Sequence, residues 1–361
     1  MESNTSLSIY LDMKKKTKST IKDVAIETGL SIATISRIIN ETGSHYSERT
    51  EKIVRDAIKK LDYKPNIIAR HLKKRKTNML GFIVPELDSF YSEVFLGAQD
   101  AALKYKYSNF LCNTNYNREL EEIYLENLLN RQVDGVIFTT GLLNNSLIYK
   151  FIEIGTPVVA IEKFLDDPAI PSIILDNYQI SKETVKHLIN NGYRRIGYIS
   201  APLKEMHVLN ERYKGYRDAL RENGLKFEKS IVYFDKSIRG EWDLSISGSL
   251  IEKIMSRSDH PDALFIISDS VAMAAMKIIK KIGYKIPEDI GIVGFDDRRV
   301  SKYLDPPLTS ICQPKYDMGY KGTELLIKII EDEKIENRNI QLNMKLSIRQ
   351  SSNRKLSSSE E

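Results

Sequence analysis

From Leu80 onward, short apolar runs alternate with stretches in which apolar residues recur every three to four positions. The runs are Leu80–Val84, Val136–Phe138, Val158–Ile161, Ile196–Ile199, Ala263–Ile267 and Ile290–Phe295. Between them, Glu119–Leu129, Ser181–Asn190, Arg212–Asn223, Ser247–Met255 and Ser270–Ile282 carry one apolar face each. This βα rhythm predicts parallel sheets with helices on both faces. In such folds ligands bind beyond the carboxyl ends of the strands.

The first part of the chain reads differently. Thr20 caps a helix over Ile21–Thr28, Gly29 supplies a tight turn, and Ser31 caps a second helix, Ile32–Asn40. Val24, Leu30, Ile35 and Ile38 then share one small core, with Ala25 at the crossing. That spacing is a helix-turn-helix, whose second helix enters the major groove of DNA. A third helix, capped by Ser47, runs to about Leu61 with Ile53, Val54, Ala57, Ile58 and Leu61 on one face. On the second helix Ile32, Ala33, Ser36 and Arg37 face outward. Arg37 suits a bidentate contact to guanine, and Ile32 and Ala33 suit a thymine methyl. Thr34, Ser36 and Asn40 suit phosphate oxygens.

Charge supports a division of labour. Residues 1–77 hold 17 Lys+Arg and 9 Asp+Glu, a net of +8, while the remainder holds 37 and 40, a net of −3. A basic head on a near-neutral body points to a polyanion partner for the head. Residues 1–19 read as a disordered basic extension, in which Met13 is an alternative start. No apolar run approaches the roughly 20 residues of a membrane span, and the first residues lack the plan of a secretory signal, so a cytoplasmic protein is expected. Cys112 and Cys312 are expected as buried free thiols. The histidines at 45, 71, 187, 207 and 260 fit no catalytic or metal pattern, and no phosphate loop occurs. No cofactor, metal or enzymatic activity is expected.

The stretches TIKDVAIETGLSIATISRIIN and YKPNIIARHLKKRKTNMLGFIVP resemble the lactose/galactose-repressor family of bacterial regulators. So do RQVDGVIF, NGYRRIGYIS, ALFIISDSVAMAAM, IPEDIGIVGFDD and LDPPLTSICQPKYDMG, which extend the resemblance from Thr20 to Ser352. It implies an all-α helix-turn-helix DNA-binding head plus a hinge helix. An α/β two-lobed, periplasmic-binding-protein-like (type I) sensor domain follows. The implied boundaries are 20–64 for the head, 65–78 for the hinge and linker, 79–351 for the effector-binding and dimerisation body, and 352–361 for a polar tail. In the implied hinge helix Asn66 caps, Leu72 wedges into the minor groove, and Arg70 and Lys73 hold phosphates beside it. Thr20 and Ser31 join the DNA-contacting set by the same resemblance.

For the body, the resemblance implies an effector pocket containing Arg212, Asp296, Ser268 and the aromatic pair Phe90 and Tyr91 in the first strand–helix loop. That loop is one residue shorter than usual in the family. Trp242 lies one position from a common pocket aromatic. Three lobe crossovers are implied near Asp176, Tyr303–Ile311 and Arg338–Gln341. The expected protein is a homodimeric repressor on a near-palindromic operator, controlled by a small molecule, a sugar being favoured, with room for a protein co-regulator. A solute-binding receptor would share the body, but it would have no use for the basic head.

Overall fold

The computed structural model describes residues 19–39, 46–63, 76–139, 145–162, 170–203, 207–235 and 244–354. They fall into two units, Met1–Thr77 and Asn78–Glu361. The first unit contains α1 (Ile21–Thr28), α2 (Ile32–Ile39) and α3 (Glu48–Lys60). Val24, Ile35, Ile38, Val54, Ala57 and Tyr63 form its core. Ser19 belongs to this unit, its hydroxyl donating to the Leu61 carbonyl at 2.7 Å. The expected α3 stripe is narrower than its apolar residues suggest, because Ile53 is 44% exposed.

The second unit has two lobes, each a six-stranded sheet. The first lobe is built from β1 (Met79–Val84), β2 (Ser108–Asn113), β3 (Gly135–Phe138), β4 (Val158–Ile161), β5 (Ser172–Leu175) and β11 (Asn339–Leu342), in the order β11-β5-β4-β3-β1-β2. All its pairings are parallel. Helices α4 (Ser89–Lys104), α5 (Arg118–Asn130), α6 (Asn145–Glu153) and α11 (Lys315–Ile330) cover it. The second lobe contains β6 (Ile196–Ser200), β7 (Val232–Phe234), β8 (Ala263–Ile266), β9 (Gly291–Asp296), β10 (Thr309–Cys312) and β12 (Lys345–Ser347), ordered β12-β10-β9-β8-β6-β7. Only β12 runs antiparallel there. Its helices are α7 (Asn177–Asn190), α8 (His207–Glu222), α9 (Leu244–Met255) and α10 (Asp269–Lys281). Each sheet separates two apolar clusters, as strands buried on both faces require.

Several elements begin earlier than their periodicity suggests. Helix α7 starts at Asn177 because Asp176 caps it, accepting from the Gln179 amide at 2.9 Å. Ser181, expected at the start, is interior and donates back to the Asn177 carbonyl at 2.8 Å. Helices α8 and α9 likewise start at His207 and Leu244. The chain leaves the first lobe at Asp176 as expected. It returns at Gln313–Pro314 and departs again at Asn343–Met344, because β10 and β11 complete their pairings before crossing.

The ends of the body also differ from expectation. It opens at Asn78, whose amide donates to Asp134 at 2.7 Å. Ser352 is fully buried and donates to Thr309, and Arg354 stacks 4.1 Å from the Tyr193 ring centre, so both belong to the body rather than to a tail. Cys112 is buried, whereas Cys312 is half-buried; neither is bonded to the other.

Helices α4 and α11 pack at backbone distance. A methyl group on Gly319 would overlap the Val94 carbonyl oxygen, and one on Gly97 would overlap that of Tyr316. Gly319→Ala should therefore destabilise the body by about 1–3 kcal/mol, the usual cost of overpacking, as measured by urea unfolding. An unchanged midpoint would mean that the two helices separate freely.

Candidate functional site

Two places gather functional side chains, one in each unit. In the head, Ser31 caps α2 by accepting from the Thr34 amide at 3.1 Å, and its hydroxyl lies 2.9 Å from that of Thr34. Thr20 stands at the start of α1, where its amide and hydroxyl both donate to the Asp23 carboxylate. These bonds hold the Asp23 carboxyl below its ordinary range. Ile35 and Ile38 are buried inward, which turns Ile32, Ala33 and Arg37 to the surface, with Thr34 and Ser36 half-buried. Asn40, Asn66, Arg70, Leu72, Lys73 and Trp242 lie outside the described residues.

In the body, the segments that follow β1 and β4 in the first lobe reach the second lobe, at Arg298 just after β9 and at Arg212 of α8. Asp296 ends β9 and Glu162 directly follows β4, with backbone φ of 105° and 58° respectively. Arg212 sits in the second turn of α8, inside the helix rather than at a loop end. It is 6% exposed. Its Nε donates to Asn177 Oδ1 at 2.8 Å, a terminal nitrogen lies 3.8 Å from Glu162, and its plane lies 3.6 Å from the Phe295 ring centre. Burial pushes the Glu162 carboxyl up, while Arg212 and a hydrogen bond from Asn177 pull it down.

Asp296 is held from the second crossover. Gln313 Nε2 donates to its Oδ1 at 2.7 Å, and Lys315 Nζ donates to its backbone carbonyl at 2.7 Å. Lost hydration holds its carboxyl up to about 7, against the opposing pull of Arg298, with Asp269 adding to the rise. Arg298 also spans the cleft. It reaches Asp88 of the first lobe at 2.6 Å and the Ser89 hydroxyl at 3.0 Å, both at the start of α4. Beside Glu162 lies a hollow of about 260 Å³, lined also by Asp176, Asn177, His207, Glu211 and Gln341. This is just under the roughly 300–1,000 Å³ usual for small-molecule sites.

The expected pocket residues are only partly drawn together. Arg212 is close enough to Asp296 to oppose the rise of its carboxyl. Phe90 and Tyr91 lie in the first turn of α4 rather than in a loop, their rings edge to face at 5.0 Å. Phe90 is buried in the first-lobe core, with Tyr91 packed against that cluster. Ser268 is half-buried and precedes α10 without a capping bond. Missed by the sequence reading were Asp88, Glu162, Asn177, Arg298, Gln313 and Lys315. Asp88 and Asn177 carried a readable signal, an Asx residue at a helix start. Glu162 and Arg298 follow strands directly, where polar residues enter a cleft. Among the described residues, no group of His, Cys, Asp and Glu could hold a metal ion, and no helix is long and apolar enough to cross a membrane.

Comparison with known proteins adds two family matches. Residues 20–66 match bacterial regulatory proteins of the lacI family, and residues 77–350 match periplasmic binding proteins and the sugar-binding domain of the LacI family. Catabolite control protein A of Priestia megaterium is 33% identical over 333 residues, covering 92% of this chain and 98% of that protein. The HTH-type transcriptional repressor PurR of Aliivibrio salmonicida is also 33% identical, with 92% and 98% covered. Among solved structures, the transcriptional regulator CelR–cellobiose complex has a TM-score of 0.69 at 28% identity, covering 92% of this chain and all of that one. A lac repressor dimer bound to operator has a TM-score of 0.80, with 93% and 100% covered; at 24% identity it shows likeness of fold alone.

The Asp296 carboxyl gives a pH test. Its folded pKa stands above the ordinary 3.8, so its contribution to stability is complete at lower pH and is lost as pH rises to about 7. Asp296→Asn should therefore gain thermal stability relative to the parent as pH is raised from about 4 to about 7. Melting both proteins across that range checks this; a constant difference would show that Asp296 is hydrated.

Proposed function

The chain belongs to the LacI family of bacterial regulatory proteins and is a DNA-binding transcriptional repressor rather than an enzyme; from that premise we propose that it acts as a dimer whose operator affinity is set by a carbohydrate bound between the two lobes. The observation carrying this reading is the buried Arg212, which pairs with Glu162 of the first lobe at 3.8 Å and lies within electrostatic reach of Asp296 at the end of β9. Hydroxyl-bearing ligands are bound by such Arg and carboxylate partners, because each accepts or donates in a fixed direction. The cellobiose complex of CelR supports the ligand class by analogy.

A dimer is favoured by the surface of the first lobe. Leu96 and Leu103 are 46% and 73% exposed, seven residues apart on one face of α4, and Phe110 is exposed on the edge strand β2. Two heads would then address the halves of a near-palindromic site. In each head Ile32, Ala33 and Arg37 read bases, while Thr20, Ser31, Thr34, Ser36 and Asn40 bind phosphates. The segment containing Asn66, Arg70, Leu72 and Lys73 contacts the minor groove. Ligand and operator are linked by a coupling free energy, typically 1–3 kcal/mol and equal in both directions.

Selecting bound duplexes from a random pool should return a near-palindromic sequence. On it, Arg37→Ala should lose about 1–3 kcal/mol and relax preference at one base position. Lys73→Ala should weaken operator and random DNA alike and flatten the salt dependence. If Arg37→Ala keeps the parent's ratio of operator to random binding in gel shifts, α2 does not read bases.

The regulatory half is tested by operator affinity with and without a carbohydrate that binds. Asp296→Asn should keep operator binding and lose most of the ligand's effect. It is preferred to Arg212→Ala, which would leave Glu162 buried without its cation and endanger folding. A variant that responds like the parent places the sensing group elsewhere.

A further inference from the structure

Three cations are buried among the described residues, Arg212, Arg298 and Lys315, and each ties one lobe to the other. Arg212 of α8 pairs with Glu162 of the first lobe. Lys315, at the start of α11, donates to the backbone carbonyls of Asp296 and Asp297 at 2.7 and 3.2 Å. Arg298 of the second lobe reaches the head of α4, where Asp88 Oδ2 accepts at 2.6 Å and the Ser89 hydroxyl oxygen at 3.0 Å. The first two ties lie beside crossovers: Asn177, which holds Arg212, follows Asp176, and Lys315 follows Pro314. There the chain itself keeps the lobes together. Arg298 and Asp88 are 210 residues apart in sequence, and their meeting depends on side chains alone.

Each end of that contact is prepared within its own lobe. Asp296 and Asp297, just before Arg298, have φ of 105° and 47°, values that residues other than glycine rarely hold. The Asp297 amide donates to the Ser310 hydroxyl at 3.0 Å, its carboxylate pairs with Arg349 at 2.7 Å, and the Arg298 amide is fixed on Asp269 at 2.8 Å. This overdetermined turn aims Arg298 out of the second lobe. Opposite it, Asp88 caps α4 with one oxygen, accepting from the Tyr91 amide, and presents the other to Arg298.

We propose that Arg298 is a latch: it closes the two lobes on each other by gripping the head of α4, and its release changes operator affinity, an inference that rests on the reading above of a cleft coupled to DNA binding. A buried ion pair suits this use. Its attraction is offset by lost hydration, and both charges regain water when the lobes part, so the contact opens at little net cost. Direction is nonetheless fixed, because one planar guanidinium meets a carboxylate and a hydroxyl on successive residues. The helix it grips also carries the exposed Leu96 and Leu103 and packs at backbone distance on α11, so the latch acts on a rigid element of the first lobe.

The test uses the full chain and hydrogen–deuterium exchange, read at residues 88–92 in the first lobe and 297–303 in the second. Arg298→Met, which removes the charge, should speed exchange at 88–92 by roughly fivefold or more, although the substitution lies in the other lobe. Asp88→Asn, which keeps a capping oxygen, should do the same at 297–303. The double variant should exchange no faster than the faster single one, because the two groups act as a pair, and Arg298→Lys should recover part of the protection. Operator affinity in gel shifts should move by roughly fivefold or more, in one direction, in both single variants. If Arg298→Met does not fold, Asp88→Asn decides the matter alone. Exchange that rises only in the substituted lobe overturns the latch and leaves the effector reading standing. Exchange that rises across the cleft while operator affinity keeps the parent's value overturns the coupling of cleft to DNA, and with it both the switch and the effector reading.

Discussion

The cleft depends on one buried carboxylate. Asp269 has no exposed surface, yet it accepts from the Ser310 and Ser301 hydroxyls at 2.6 Å and from the Arg298 amide at 2.8 Å. Burial pushes its carboxyl up and these three donors pull it down. A charge so placed is tolerable only when its lone pairs are filled, and here they draw two segments, the turn after β9 and the strand β10, onto the head of α10. Gly294 makes the approach possible, because any side chain there would collide with Asp269. The turn that follows β9 is thereby fixed, and with it the backbone positions of Asp296 and Arg298.

From that anchor the polar chemistry spreads outward in a defined order. Arg298, held by its own amide, extends its side chain across to Asp88, whose other oxygen caps α4 through the Tyr91 amide at 2.8 Å. The capping carboxylate therefore serves the first lobe and receives the second lobe at once. Arg212 and Glu162 form a similar tie on the other side of the cleft. Both ties are buried ion pairs, whose attraction is offset by the loss of hydration. They are better understood as fixing where the lobes meet than as large sources of stability.

Much of this was legible in the residues. The head announces itself because its capping residues, its turn glycine and its apolar spacing all agree over about twenty positions. The βα rhythm was equally plain where strands are buried on both faces, as at Leu80–Val84 or Ala263–Ile266. It failed at β2 and β7, edge strands with mostly exposed or half-buried residues, and at β5 and β10 to β12, which are short and partly polar. Helix starts drifted where Ser or Thr sits inside a helix and bonds back to it, as Ser181 and Thr184 do. The cleft was hardest. Arg212 and Asp296 were reached through resemblance, whereas Asp88, Glu162, Arg298 and Gln313 take their meaning from partners up to 210 residues away in sequence, a relation no local pattern carries.

The site also stands on the segments that join the lobes. Asn177, which orients Arg212, immediately follows the first crossover at Asp176. Gln313 and Lys315, which hold Asp296, lie on and beside the second. Gln341 of the hollow precedes the third. A change in the angle between the lobes must be absorbed by backbone at these three places, since the sheets on either side are rigid. Groups that orient Arg212 and Asp296 thus sit where the backbone bends, so the setting of these two side chains and the lobe angle cannot vary independently. The head is joined by the chain to β1 of the first lobe, and that lobe receives two of its elements, α11 and β11, from beyond the second crossover. An altered lobe angle is therefore felt by a structure that the linker to the DNA-binding head enters directly, and the coupling between ligand and operator follows from the order of the chain itself.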